Sequence, residues 1–473
     1  MPAVPEAYYE YVMEYAPYLY VVPDVGPDLE WGKAAFAAAF AVDFLFEAYF
    51  HPQFDSRSSE IEAKIVELAN WILTQQCTDA EKLAYGGFKS TENRTEYYAV
   101  DACRTVPALL KAYELTSNTA YLNSATLAGN VFLFNMQHKP SLLGVHDRYY
   151  GGFARAVSIS DQWLAEMDVV CLHGLPALRM LCEVDPTSKS QYEAGMVDVV
   201  NFCRVGLEEC FDHYSPLPSG DGGWHRVDQA DRIIIDDSLA YALWGLYDYE
   251  GYSNTVQKAY SYINAIGASS AYPAYNPAVC WAGYLDAVSK VSACNYYDAV
   301  TAGILAPIRR DHDKSAYEYS HNIIAAHADE FMFWGVKHVD FGFVENKQAM
   351  ATVCWLGQLF LGYEVPVTRF TQVLSSKGEN LTLYPITAAG ERTAYGEGID
   401  VKAIVLPAKS EELLLEPGYV THDYFAMHVF APVRRHDKIR RNGTDYQIQT
   451  VQDYAFKGET AYRKATCRRL TNQ

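Results

Sequence analysis

"AAFAAAFAVDFLFEAYF", Ala34 to Phe50, is followed after a short polar break by "SSEIEAKIVELANWILTQQ", Ser58 to Gln76. The first run is apolar nearly all round a helix. The second carries Ile61, Ile65, Leu68 and Ile72 on one stripe, with charges opposite. An all-round apolar helix belongs inside a fold and a one-stripe helix outside it, so the pair reads as a hairpin with an inner and an outer member. The first run could pass for a membrane span or signal. It lies behind about thirty mostly acidic residues and contains Asp43 and Glu47, and therefore reads as a buried helix.

The pairing recurs along the chain. Inner members are expected over 32–50, 96–114, 162–183, 235–249, 277–290 and 345–363, and outer members over 57–77, 119–137, 188–211, 252–266, 293–305 and 314–333. Three near-identical turns punctuate the series: Tyr85-Gly86-Gly87-Phe88, Tyr150-Gly151-Gly152-Phe153 and Asp221-Gly222-Gly223-Trp224, about 65 and then about 70 residues apart. Six inner helices wrapped by six outer ones describe an (α/α)6 toroid over residues 1–363. An α-solenoid is the structural rival, but its repeats are more uniform and shorter, about 34–47 residues.

After Tyr363 the pattern changes to β-type alternation, making this a multidomain chain, α then β. "EVPVT", 364–368, reads as a linker, and 369–473 as a small β-barrel with strands near 369–374, 381–386, 399–407, 424–430, 444–452 and 460–470. Asn442-Gly443 is a hairpin signal, because both turn positions need positive φ.

Composition narrows the function. A net charge of −20 argues against a general nucleic-acid coat, which needs clustered Lys and Arg. Ten cysteines without CxxC spacing read as small core hydrophobes under reducing conditions, and no secretory signal is expected. No Gly-rich phosphate loop or G-x-S-x-G elbow occurs, and the His and acid spacing of "RRDHDKSAYEYSHN", 309–322, fits no common ligand set. Neither a metal nor another cofactor is expected.

The tail resembles the head closure and head–tail joining proteins of tailed bacteriophages. The resemblance lies in "VLPAKSEEL" (Val405 to Leu413), in Asp437, Lys438, Ile439, Asn442, Gly443, Tyr446, Ile448 and Val451, and in a last strand closing on "YRKATCRRL". It implies a neck subunit of the virion, made in the host cytoplasm, that assembles with itself as a ring. Portal or adaptor and tail proteins would be its neighbours, and DNA would pass through the channel. The helical part is similar to six-hairpin (α/α)6 glycosidases and related epimerases and lyases, through its helix count and glycine-aromatic turns. That resemblance implies a domain that projects outward and binds or processes surface glycans, with its site at the end of the barrel where inner helices begin. A free hydrolase or lyase of acidic oligosaccharides, with an accessory β-domain, is the alternative. No membrane partner is expected.

Glycoside hydrolysis needs two carboxylates, one kept protonated to donate to the leaving oxygen and one ionised. Candidates near inner-helix starts are Asp101, Asp168 with Glu166, Asp236, Asp237, and Asp340 with Glu345. The resemblance to unsaturated-uronide glycosidases favours Asp101 and Asp168. The competing reading has such acids cap helices or pair with Arg94 and Arg104. Sugar contacts are expected from Tyr85, Phe88, Tyr97, Tyr150, Phe153, Trp163, Trp224, His225 and Arg94, since aromatic rings stack on the apolar face of a pyranose. His173, inside an apolar helix, reads as a core histidine. In the tail, Arg434, Arg435, Lys438, Arg440 and Arg441 form a basic run for contact with DNA or another subunit, or an ion-paired hairpin.

Overall fold

The computed structural model describes residues 4–19, 21–22, 26–27, 29, 32–94, 96–139, 151–158, 160–166, 169–211, 225–226, 229–233, 237–268, 303–326, 349–361, 378–388, 394–407, 423–429, 431–456 and 459–470. The chain divides into two compact units, Met1–Tyr49 with Gln53–Tyr363, and Glu364–Gln473 with Phe50–Pro52.

The first unit has the (α/α)6 arrangement. Its inner helices are α2 (Ala35–Tyr49), α4 (Ala99–Thr116), α7 (Gly174–Val184), α9 (Asp237–Glu250) and α13 (Ala349–Leu361). Around them run α1 (Glu6–Tyr15), α3 (Ser58–Gln75), α5 (Thr119–Leu127), α6 (Phe134–Gln137), α8 (Lys189–Phe211), α10 (Asn254–Ala268), α11 (Ala306–His312) and α12 (Lys314–Ala326). A π-helical turn at Ala128–Leu133 joins α5 to α6. The expected inner helix 277–290, and 293–302 of its outer partner, lie outside the described residues.

Helix α2 shows why the first stretch decides the fold. Ala35, Ala37, Ala38, Ala39, Phe40, Phe44 and Leu45 lie on every side of it, and each is at most 2% exposed. Such a helix needs neighbours all round, and it packs on α3, on α4 and on α13. The α13 contact joins the two ends of the unit and closes the ring. There the Phe44 ring fills the space that a Cβ on Gly357 would occupy, and Phe40 meets Trp355 edge-on at 6.0 Å. Outer helix α3 buries Ile61, Ile65, Leu68 and Ile72 completely, as its stripe requires.

Helix α1 was not foreseen. "EAYYEYVMEY" shows no clear apolar stripe because its buried positions are largely tyrosines, yet Tyr8 and Tyr9 are fully buried. Tyr8 meets Phe360 of α13 edge-on at 6.2 Å, and Tyr9 stacks on Phe54 at 4.9 Å, which places α1 in the outer layer. The outer helix expected over 314–333 is described as far as Ala326, and α11 precedes it unforeseen.

The glycine turns turn out to be joints between outer helices. Gly86 and Gly151 take φ of +85° and +90°, a region that side chains disfavour. A Cβ on Gly86 would meet the Leu127 carbonyl, and one on Gly151 the Asp198 carbonyl. The next glycines make room for rings, Gly87 for Phe132 and Gly152 for Phe202. A glutamine at the end of the preceding outer helix completes each joint. Gln76 Nε2 donates to the carbonyls of Gly86 and Ser124, both at 2.9 Å; Gln137 Nε2 donates to those of Gly151 and Gly195, at 2.8 and 2.9 Å. The third turn, 221–224, lies outside the described residues.

Short strands border the ring: β1 (Val21–Val22) with β2 (Gly26–Pro27), then β3 (Tyr97–Tyr98), β4 (Ala154–Val157) and β5 (Trp163–Glu166) in one antiparallel sheet, and β6 (His225–Arg226) with β7 (Gln229–Ile233).

The second unit contains a closed, wholly antiparallel barrel. Its strands are β8 (Glu379–Tyr384), β11 (Ile399–Pro407), β12 (Tyr424–Val429), β13 (Lys438–Arg441), β14 (Thr444–Phe456) and β15 (Glu459–Arg469), in the order β11-β12-β15-β14-β13-β8. A separate ribbon pairs β9 (Ile386–Ala388) with β10 (Ala394–Tyr395). Leu381, Leu383, Phe425, Met427, Ile439, Ile448 and Ala465 fill the barrel interior. Asn442 and Gly443 take φ of 48° and 77° and turn β13 into β14. The expected linker 364–368 and strand 369–374 lie outside the described residues.

Replacing Gln137 by leucine should leave two buried carbonyls unpaired and cost about 2 kcal/mol of stability, read by urea unfolding. Gly151→Ala should cost at least as much, and unchanged midpoints for both variants would remove the joint from any stabilising role.

Candidate active site

Asp101 stands in the first turn of α4, where the backbone N–H groups at a helix start favour a carboxylate. Burial works the other way and wins. At 3% exposure the carboxyl is pushed up to about 6, while Arg104 and a hydrogen bond to Ser90 pull it down less. Among the described residues its Oδ2 has no hydrogen-bond partner. A carboxyl with a pKa near neutrality and one free oxygen is suited to giving and taking a proton.

Arg104, three residues on, reaches among the inner helices. Its Nε donates to Nδ1 of His173 over a long 3.4 Å. Its guanidinium carbon is 4.7 Å from the ring centres of both Phe40 and Tyr241, and 5.9 Å from that of Phe36. Burial first, and then Arg104, hold the His173 pKa well below its usual value. Because Nδ1 accepts from arginine, the neutral ring carries its proton on Nε2. His173 stacks on Tyr241 at 4.5 Å and meets Trp244 edge-on at 5.2 Å.

Trp355 of α13 donates from Nε1 to the Tyr241 hydroxyl at 2.9 Å and contacts Trp244 at 5.7 Å. Phe40, His173, Tyr241 and Trp355 are nearly fully buried, while Phe36, Arg104 and Trp244 keep part of their surface open. Side chains from α2, α4, α9, α13 and the 3-10 turn Val169–His173 thus form an aromatic wall around one arginine. Among the described residues no carboxylate forms an ion pair with Arg104.

Of the residues singled out by sequence, Asp101 belongs to this cluster. Asp237 opens α9 and His225 lies in β6, but only their backbones are described; the same holds for Glu166 in β5. Asp168, Asp236, Tyr150, Trp224, Asp340 and Glu345 lie outside the described residues. Tyr97 and Trp163 both pair with Val157 in the β3-β4-β5 sheet, which puts them on one face of it, and both are half-buried. Tyr85 and Arg94 are also half-buried. Phe88 and Phe153 are fully buried beside the glycine joints, where their rings serve packing and are closed to a ligand.

Sequence reading missed Phe36, Phe40, Tyr241, Trp244 and Trp355, and gave Arg104 only as a partner for acids. The available signal was aromatic spacing of three or four residues within inner helices, Phe36 with Phe40 and Tyr241 with Trp244. His173 is buried, as expected.

In the barrel the basic run is largely spent on local carboxylates. Arg440 makes two bonds to Asp445, at 2.7 and 3.1 Å, and Arg441 two to Glu379, at 2.8 and 2.7 Å. Lys438 lies 3.4 Å from Asp445 and over the rings of Tyr384 and Tyr395. Arg434 and Arg435 are exposed. Asp437, buried within the run, accepts from the backbone N–H groups of Ile386 and Arg434. Among the described residues no cluster of His, Cys, Asp or Glu could hold a metal ion, and no helix is long and apolar enough to cross a membrane.

No family model matches the chain, and no curated protein does. Solved structures with similar helical parts include cellobiose 2-epimerase from Spirochaeta thermophila (14% identity, 72% of this chain and 88% of that one, TM-score 0.44). Others are a family 76 α-mannanase from Bacteroides thetaiotaomicron (12%, 72% and 88%, 0.44) and an α-amylase from Clostridium perfringens (10%, 76% and 96%, 0.43). Likeness at this level says nothing about chemistry. The neck-protein resemblance of the tail finds no support among these comparisons.

The raised Asp101 pKa fixes a pH dependence. The folded state holds its proton up to about pH 6 while the unfolded chain releases it near 4, so Asp101 lowers stability as pH rises through that window. Asp101→Asn should therefore be more stable than the parent at pH 7.5, by roughly 2 kcal/mol, and show little gain at pH 4. Equal gains at both pH values in chemical denaturation would contradict the assignment.

Proposed function

We propose that the helical unit is a glycan-acting enzyme domain that binds an acidic oligosaccharide at the open face of Phe36, Arg104 and Trp244, and hydrolyses or eliminates at a glycosidic bond beside Asp101. The observation behind this reading is an arginine set in an aromatic wall, with no ion-paired carboxylate among the described residues, next to a buried carboxyl with one oxygen unbonded among them. Aromatic faces suit the apolar side of a pyranose, and a guanidinium fork suits a uronate carboxylate.

In this scheme Asp101 gives its proton to the leaving oxygen. The second carboxylate is to be sought among Asp168, Asp236 and Asp237, and its separation from Asp101 would decide between retention and inversion. His173, held neutral, orients Arg104 and adds no second positive charge beside it.

The barrel then serves as an accessory domain. The alternative, a ring-forming neck subunit with DNA in its channel, has no comparable observation behind it, since three of its five basic residues are committed to carboxylates of the same barrel.

On a panel of uronide oligosaccharides, Asp101→Asn should lower turnover by about 10²–10⁴-fold with binding retained. Arg104→Met should raise KM for uronides far more than for neutral glycans. Binding without turnover by the parent protein would reduce the domain to a lectin, and neither binding nor turnover on a broad panel would remove the glycan reading.

A further inference from the structure

Two buried thiols meet between the layers of the helical unit. Cys171 lies in the 3-10 turn Val169–His173 and Cys203 in outer helix α8, and their Sγ atoms are 3.5 Å apart. Cys171 is fully buried and Cys203 is 1% exposed, and no described cysteine is in a disulfide. A disulfide needs its sulfurs at about 2.05 Å, so roughly 1.5 Å separates this contact from a bond. Rotation of the two side chains is suited to closing that gap, because α8 packs directly on the turn.

The turn sits between the outer layer and the candidate site. His173, two residues beyond Cys171, accepts from Arg104 and stacks on Tyr241. A 3-10 helix has three residues per turn, so residues two apart leave it on different sides. The sulfur accordingly meets an outer helix while the imidazole meets the inner ones. A third thiol, Cys103 of α4, is the neighbour of Arg104 in sequence and lies close by, since a Cβ on Gly174 would come within 3.1 Å of its Sγ. Ten cysteines without CxxC spacing give no hint of which would meet, because Cys171 and Cys203 are 32 residues apart.

We propose that Cys171 and Cys203 are a disulfide site, oxidised by a small-molecule disulfide of the glutathione type while the chain folds and before the sulfurs are enclosed. One protein thiolate attacks the small disulfide, breaks its S–S bond and expels one glutathione thiolate, which takes up a proton. The second protein thiolate then attacks the mixed disulfide and displaces the other glutathione. The two protein thiols lose two electrons and two protons, and the small disulfide gains them as two thiols. The bridge fastens the turn that holds His173 to α8 and closes a loop in the unfolded chain. It depends on the packing of these two elements and on nothing that the candidate site binds.

The test refolds reduced full-length protein in a buffer of oxidised and reduced glutathione and, in parallel, in dithiothreitol. Remaining thiols are alkylated and the protein is digested with trypsin without reduction. Cleavage at Arg179 and Lys189 puts the two cysteines on separate peptides. The glutathione sample should yield those peptides joined, two hydrogens lighter than their sum, and the dithiothreitol sample should not. Its Tm should be higher by about 3–6 °C. Cys203→Ala should lose both the joined peptides and the Tm difference, while Cys103→Ala should keep both. The peptide masses of the parent decide the matter even where an alanine variant fails to fold. Alkylated Cys171 and Cys203 in the folded glutathione sample, or Cys171 joined to Cys103 instead, would overturn the site.

Discussion

Closure of the inner ring, α2 against α13, is the constraint on which the rest of the helical unit depends. Helix α2 is apolar on all sides, so it is stable only when enclosed, and its last neighbour comes from the far end of the unit. Gly357 leaves room for Phe44 at that seam, and Phe40 bears on Trp355. The same contact assembles the candidate site, because it carries Trp355 to Tyr241 and thereby backs the wall that holds Arg104. Packing and chemistry share one seam here, and a substitution that loosened it would disturb both.

The layered plan was legible because burial leaves a direct mark on composition. Helices enclosed on all sides lose their polar residues, as α2 does, and helices exposed on one side keep a polar face, as α3 does. Where burial is achieved with amphipathic residues the mark fades. Helix α1 hides Tyr8 and Tyr9 completely, but tyrosine is as common at surfaces as in cores, so "EAYYEYVMEY" shows no stripe. Strand β13 was missed for a related reason, since "KIRR" reads as charge until its pairing with Asp445 and Glu379 is seen.

The glycine turns illustrate a harder limit. Their sequence shows that a tight turn is needed, and the backbone confirms positive φ at Gly86 and Gly151. It cannot show what approaches the glycine. A sugar and a neighbouring helix both require the missing Cβ, and here Leu127, Phe132, Asp198 and Phe202 take the space. Asp101 could be found because helix position is a local property. Arg104, His173 and Tyr241 form a group only across three inner elements, and no local pattern records that.

Arginine environments set the candidate site apart: Arg57 and Arg179 of the same helical unit pair with Glu10 and Asp248. The chain holds 58 acidic against 38 basic residues, so an arginine at rest should find a carboxylate. Arg440 and Arg441 do, with bidentate geometry that uses up the fork. Arg104 does not, although Asp101 lies within a helical turn of it, and its nearest partners are π faces and a neutral imidazole, which attract a cation without neutralising it. In an acidic protein, a cation left uncompensated at an enclosed position keeps its charge for something that arrives from outside. At Arg104 the partly open faces of Phe36 and Trp244 leave the guanidinium within reach of solvent, and a sugar acid carries the charge that it lacks.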